Sequence, residues 1–265
     1  MEDWRSESAQ SLSSSSREGR SSRPHSSRHA EEALSSLAAL LRDSPIPPLE
    51  LPRNLSLYLN RECLGDLVTT VELYRRILEI PGEVMEFGTR WGRRLSLFVT
   101  LRELFEPHNY TRRVVGFDTF SGFPHVSEKD GDHPKIRVGS LSVTDGYVDH
   151  LDAVLEAHEH ESVLGHVKRF QVCVGDVRDT LRTYLEAHPE ALVSLAYFDL
   201  DLYDPTKTCL ELVLTRMGKG SILAFDQLSQ LNFPGETRAM LEILDLSRIR
   251  LERLPFYPYP VFVTL

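Results

Sequence analysis

Two apolar segments of this chain run directly into acidic side chains. Ala196-Tyr197-Phe198 leads into Asp199-Leu200-Asp201, and Ser221-Ile222-Leu223-Ala224-Phe225 leads into Asp226-Gln227. If the two segments are neighbouring parallel strands, both carboxylates point into one crevice, where open α/β sheets bind ligands. Oxygen ligands of this kind suit a hard divalent cation such as Mg2+. Such a cation stabilises the oxyanion that forms when a sugar or phenol hydroxyl loses its proton, and a nearby carboxylate takes that proton. Asp199 is therefore the candidate catalytic residue, and Asp199 and Asp226 are candidate metal ligands. Gln227 is either a third, neutral ligand through its amide oxygen or a hydrogen-bonding neighbour. Asp201 either shares the crevice or braces the following loop. Asp204-Pro205-Thr206 reads as the N-cap and opening of the next helix.

A second cluster sits earlier. Val84-Met85-Glu86-Phe87-Gly88-Thr89-Arg90-Trp91-Gly92 reads as strand, tight turn and helix start. Gly88 permits a turn that a side chain would block, and Gly92 lets the helix approach the strand. Asp118 ends the next strand, placed to accept hydrogen bonds from the two hydroxyls of an adenosine ribose. The turn lacks the middle glycine that lets a pyrophosphate approach. It suits S-adenosylmethionine, which has no phosphates, better than a dinucleotide. Gly175-Asp176 closes the third strand and either faces the adenine or caps the following helix. Of Arg90, Arg93 and Arg94, one is placed to meet a carboxylate or phosphate, and at least two are expected on a solvated helix face. His125, His133 and His150 read as solvated loop residues.

The elements that must position these groups follow an α/β alternation. Strands are predicted over 83–87, 113–117, 170–174, 192–198 and 221–225, with helices over 91–105, 147–158, 177–187, 206–217 and 236–244. A terminal strand, 260–265, is expected to run antiparallel to the rest. Continuous apolar strands alternating with helices imply a mostly parallel, doubly wound sheet covered on both faces. Residues 121–145 form a long polar stretch. Ahead of the sheet, residues 1–30 are rich in Ser and Arg and read as a disordered leader. A helical segment, 31–80, is interrupted by Pro45, Pro47, Pro48 and Pro52, and Pro81-Gly82 stops it.

Composition narrows the function classes. A formal charge of −9 and a pI near 5.6 argue against a general nucleic-acid or anionic-membrane binder. Cys63, Cys173 and Cys209 show no zinc or redox spacing, and Cys173 reads as a packed thiol. No apolar run approaches the roughly 18 residues of a membrane span, nor does the N-terminus carry a signal-peptide core, so a cytoplasmic location is expected.

Over about residues 55–265 these motifs resemble the metal-dependent sugar O-methyltransferases related to macrocin O-methyltransferase, a branch of the class I S-adenosylmethionine-dependent enzymes. The resemblance rests on Glu86 to Gly92, on Gly116-Phe117-Asp118-Thr119-Phe120-Ser121-Gly122-Phe123-Pro124, on Asp199 to Tyr203, on Gly220 to Asp226, and on Phe233-Pro234-Gly235-Glu236-Thr237-Arg238-Ala239. It implies a seven-stranded Rossmann-like sheet, with 31–80 as a helical lid and 81–265 as the S-adenosylmethionine-binding catalytic domain. It also implies that Asp118 holds the cofactor ribose, that Gly88 and Gly92 line the methionine end and that Asp199 and Asp226 hold Mg2+; Glu86, Thr89 and Asp176 are further candidate cofactor contacts, and Gln227 a candidate third metal ligand. Many members end the second metal strand in two successive aspartates. Gln227 removes one of those charges here, and weaker metal affinity is expected. The implied partner is a small-molecule sugar or nucleotide sugar in antibiotic biosynthesis, acted on by a homo-oligomer. A catechol-type O-methyltransferase and a non-catalytic α/β binding module are the alternatives.

Overall fold

The structure is a computed structural model describing residues 28–265, in two compact units, residues 28–61 and Glu62–Leu265. All but the last three residues of the Ser- and Arg-rich leader lie outside the described residues. The first unit holds helix α1 (Arg28–Arg42), the short helix α2 (Leu51–Asn54) and a 3-10 turn. Tyr58 closes it by donating a hydrogen bond to Ser44 Oγ at 2.8 Å.

The second unit opens with α3 (Arg61–Arg76), whose Leu73 and Tyr74, with Ile77 beyond it, are completely buried. The sheet then builds from β1 (Glu83–Phe87), α4 (Arg93–Phe105), β2 (Val114–Asp118), α5 (Tyr147–Glu161), β3 (Phe170–Val174), α6 (Val177–Ala187), β4 (Val193–Phe198), α7 (Tyr203–Val213), β5 (Met217–Phe225), α8 (Gly235–Ile243) and β6 (Val261–Thr264). Strand order is β3-β2-β1-β4-β5-β6, with β6 antiparallel to β5 and all other pairs parallel. This is the expected doubly wound architecture.

Side chains of each central strand alternate between two cores, because successive residues face opposite sides of a pleated sheet. Met85, Val115, Ala196 and Leu223 face one core, with Leu181 of α6 and Leu210 of α7; Val84, Val114, Leu195 and Ile222 face the other, with Leu95 and Phe98 of α4 and Tyr74 of α3. Neither face meets water, so β1 and β4 are buried along their whole length. At the carboxyl ends Phe117, Phe87, Phe198 and Phe225 form a row of ring contacts, with centroids 5.0–5.2 Å apart. That row is the floor beneath the strand ends.

The expected seven strands are six. The segment before β6 makes only an isolated antiparallel bridge, Glu252 to Phe262. Pro255, Pro258 and Pro260 follow, each without the N–H that a ladder requires, so pairing does not extend from that bridge toward the connecting loop. The three cysteines are free, and burial pushes the Cys173 thiol up to about 11. No helix among the described residues is long and apolar enough to cross a membrane.

Candidate active site at the β1–β4 switch point

The chain leaves β1 toward β2 on one side and β4 toward β5 on the other, so the crevice opens where these neighbouring strands end. Gly88 and Asp199 are the first residues past those ends. Asp199 donates its backbone N–H to Phe87 O at 2.8 Å, and Asp226 donates its own to Phe198 O at 2.9 Å. Gly88 is left-handed, with φ of 92°, and a Cβ there would lie 1.9 Å from the carbonyl oxygen of Asp199. Glycine is thus required for contact between the two turns.

Arg94 lies between the Asp199 and Asp226 carboxylates. The expectation of a solvated helix face fits Arg93 but not Arg94, whose side chain is 2% exposed. Its Nη1 lies 3.3 Å from Glu86 Oε1 and 3.3 Å from Asp199 Oδ2, while Nη2 lies 3.0 Å from Asp66 Oδ1 and 3.5 Å from Asp226 Oδ1. The guanidinium lies over the Tyr197 ring, 3.6 Å from its centroid, and Tyr197 donates its hydroxyl to Asp226 Oδ1 at 2.9 Å. A signal for this was present in the sequence: Arg94 shares the helical spacing of Phe98, Leu101 and Arg102, all buried along α4.

One guanidinium does not neutralise the carboxylates gathered here. Burial, then repulsion from Asp226, pushes Asp199 up to about 7 even though Arg94 pulls the other way. Glu86, fully enclosed, is pushed by burial to about 8. Burial also drives Asp201 well above the ordinary carboxylate range, with Asp199 and Asp226 adding to it. Perturbed carboxyls converging on a crevice are a mark of a working site.

Two further carboxylates, unassigned from sequence, hold the walls. Glu236 of α8, wholly buried, accepts hydrogen bonds from the N–H groups of Leu200, Asp201 and Gln227 at 2.9, 3.2 and 2.9 Å. It therefore ties the turn after β4 to the turn after β5. Asp201, left-handed at φ of 62°, belongs to this brace through its backbone, while its buried Oδ1 has no partner. Asp130, from the long polar stretch, accepts from the Tyr203 N–H at 2.6 Å. That bond explains why α7 begins at Tyr203, with Leu202 as N-cap, rather than being capped by Asp204. A distant carboxylate supplies what a local one was expected to provide.

On the cofactor side, Asp118 accepts from the N–H groups of Arg90 at 2.7 Å and Phe120 at 2.6 Å. Both donors are left-handed non-glycine residues, at φ of 47° and 56°. Charge-assisted bonds offset that strain, roughly 1–2 kcal/mol per residue. A carboxylate has about four lone-pair positions, so two remain for a ligand. Thr89 is buried with its hydroxyl unpaired. Gly92 approaches α5 rather than β1, since a Cβ there would meet Leu151 Cδ1 at 2.3 Å. Glu86 turns into the Arg94 network. Asp176 is the N-cap of α6, accepting from the Arg178 N–H at 3.0 Å and gripped by the Arg178 side chain. Beyond β2 and β3 opens a pocket of about 450 Å³ lined by Phe120, Val143, Thr144, Tyr147 and Val174, among others. His125 is an exposed loop residue, as expected; His150 is exposed but sits on α5, and half-buried His133 packs on Phe233 at 5.0 Å.

Whether the donor set fits a cation turns on the oxygens Arg94 leaves over. Among the described residues no group of three or more His, Cys, Asp or Glu side chains could hold a metal ion. The expected metal trio contains only two carboxylates. Arg94 uses Oδ2 of Asp199 and Oδ1 of Asp226, and Asp226 Oδ2 lies 3.5 Å from the Gln227 side-chain amide. Asp199 and Asp226 supply half-buried carboxylates of the type a hard cation takes, whereas Gln227 turns its amide nitrogen, a donor, toward Asp226 Oδ2. A buried guanidinium supplies positive charge between Asp199 and Asp226, where the expected clamp placed a cation.

No protein-family model matches the chain, and no curated protein does. Among solved structures, a crystal structure of CalS11, calicheamicin methyltransferase, matches at TM-score 0.88 and 45% identity, covering 91% of this chain and 94% of that one. The apo structure of CalS11, TDP-rhamnose 3′-O-methyltransferase, an enzyme in calicheamicin biosynthesis, matches at TM-score 0.80 and 42% identity, over 91% and 96% of the two chains. The O-methyltransferase NovP shares the fold, with TM-score 0.58 and 20% identity over 76% of this chain and 79% of that one.

Proposed function

Because the chain belongs to the family of CalS11, the TDP-rhamnose 3′-O-methyltransferase, we propose that it transfers a methyl group from S-adenosylmethionine to a hydroxyl of a deoxysugar, nucleotide-activated as in TDP-rhamnose. One observation carries the reading. Asp199 and Asp226, from adjoining strands, meet the two ends of one buried guanidinium at the switch point of a sheet that matches CalS11 over 91% of the chain.

In this reading, S-adenosylmethionine supplies an electrophilic methyl group. Asp118 would hold the ribose with its remaining lone pairs, and the pocket past β2 and β3 would take the adenosine end. Gly88 and Thr89 would line the methionine end. The Asp176 carboxylate, engaged by Arg178, would contribute at most as a wall. Asp199 is the proposed base: without a cation, burial and Asp226 raise its carboxyl to about 7, and a cation held beside it would favour its ionised, proton-accepting form. Asp226 stays oriented by Tyr197 and Arg94, and Glu236 keeps both turns at fixed separation. Mg2+ would be held by Asp199, Asp226 and Gln227, where it would favour the ionised form of the acceptor hydroxyl. With Gln227 in place of a second acid, its affinity is expected to be modest. The polar stretch 121–145 is the proposed substrate-side element of a cytoplasmic homo-oligomer.

The test is S-adenosylhomocysteine release over a panel of TDP-deoxysugars and simple phenols, with and without EDTA. Turnover on a TDP-deoxysugar that EDTA suppresses is expected. Turnover confined to phenols would replace the sugar reading, and EDTA-resistant turnover would remove the cation.

A further inference from the structure

We infer that Arg94 is the positioning residue of this site, setting the separation and orientation of Asp199 and Asp226 through the planar fork of its guanidinium; the inference rests on the reading that these two carboxylates serve methyl transfer. Two like charges from neighbouring strands repel, and left to themselves they would turn apart. Here each meets a different terminal nitrogen of one rigid plane, at 3.3 and 3.5 Å. The same nitrogens are anchored from behind, Nη1 by Glu86 Oε1 at 3.3 Å and Nη2 by Asp66 Oδ1 at 3.0 Å. The plane lies on Tyr197, which also bonds Asp226. The fork is therefore fixed from α3, β1 and β4 together.

This arrangement determines which oxygens face the crevice. With Oδ2 of Asp199 and Oδ1 of Asp226 drawn to the guanidinium, Oδ1 of Asp199 is left for chemistry, while Asp226 Oδ2 faces the Gln227 amide at 3.5 Å. An ammonium group would keep the charge but not the planar fork, and could not serve both carboxylates and both anchors at once. Charge and geometry are separable by substitution for that reason. Asp66 provides a second route: it holds Arg93 and Arg94 on α4 through ion pairs of 3.0 Å and acts on the crevice carboxylates through Arg94.

The experiment compares wild type, Arg94→Lys, Arg94→Met, Asp66→Asn and Asp199→Asn in the full chain. Four quantities are measured: thermal melting, S-adenosylhomocysteine affinity by calorimetry, kcat and KM on a TDP-deoxysugar, and Mn2+ affinity by electron paramagnetic resonance. Arg94→Lys is expected to bind S-adenosylhomocysteine within about threefold of wild type, to lose about 100-fold in kcat with little change in KM, and to bind Mn2+ about tenfold more weakly although the charge is kept. Asp66→Asn is expected to lose about tenfold in kcat with every crevice side chain intact. If Arg94→Met does not fold, Arg94→Lys and Asp66→Asn still decide the question. Arg94→Lys within threefold of wild type in both kcat and Mn2+ affinity would overturn the inference. Full activity of Asp199→Asn would instead overturn the functional reading. If wild type is inactive on the sugars, the Mn2+ comparison still tests Arg94, and absence of Mn2+ binding by wild type would overturn both.

Discussion

Replacing Gly88 by Ala tests the contact on which the whole crevice depends. A Cβ at this position would sit 1.9 Å from the carbonyl oxygen of Asp199 and 2.6 Å from its carbonyl carbon, both backbone atoms that cannot rotate away. Relief requires the turns after β1 and β4 to separate by more than an ångström, which breaks the 2.8 Å bond from Asp199 N to Phe87 O. That bond is worth about 1 kcal/mol, overpacking adds about 1–3 kcal/mol, and a φ of 92° in a non-glycine residue adds about 1–2 kcal/mol. The expected loss is therefore about 4 kcal/mol. For a unit the size of Glu62–Leu265 this corresponds to a fall of roughly 8–16 °C in melting temperature. Calorimetry at fixed pH reads it directly, and turnover should vanish because Asp199 is displaced. Gly92→Ala is the comparison: its clash is with the buried Leu151 side chain, which can yield in part where a backbone carbonyl cannot, so the cost should be smaller, about 2–3 kcal/mol. Equal losses in the two variants, or a Gly88→Ala melting temperature within about 3 °C of wild type, would refute the reasoning.

Three further outcomes are expected. Asp199 and Glu86, raised to about 7 and about 8, bind protons more tightly folded than unfolded, so the stability they contribute is complete below about pH 4 and is lost as pH rises through 7 to 8. In EDTA at about pH 8, Asp199→Asn should therefore melt higher than wild type, by up to about 2 kcal/mol of stability, and with Mg2+ present it should lose turnover; a lower melting temperature would contradict the charge balance. Glu236→Gln replaces one acceptor oxygen with an NH2 group and leaves one of three backbone donors unpaired, costing about 1–3 kcal/mol and most of the activity; unchanged kcat would show that the two turns hold without it. Asp118→Ala removes the acceptor for Arg90 and Phe120, so S-adenosylhomocysteine affinity measured by calorimetry should fall at least about tenfold, with a stability loss near 3 kcal/mol. Full affinity in that variant would end the ribose assignment.

Much of the architecture was legible because it rests on local chemistry. Continuous apolar runs ending in Asp118, Asp199 and Asp226 identify buried parallel strands and their carboxyl ends, since only strands covered on both faces carry such runs. Turn glycines and the spacing between strands located the crevice. The strand count was less legible: a terminal strand is visible in Pro260 to Leu265, but loss of the seventh follows from three prolines that interrupt pairing next to it.

What the sequence determined by itself was the set of acidic strand ends and the sheet that must gather them. Tertiary structure alone decided which charges face those acids. Arg93 and Arg94 are adjacent and chemically identical; the spacing shared with Phe98 and Leu101 marks Arg94 as the inward one, but only packing brings it between Asp199 and Asp226. Glu236 and Asp130 show the same limit, as their partners are N–H groups 35 and 73 residues away in the chain, brought into reach only when the sheet and its helices close together.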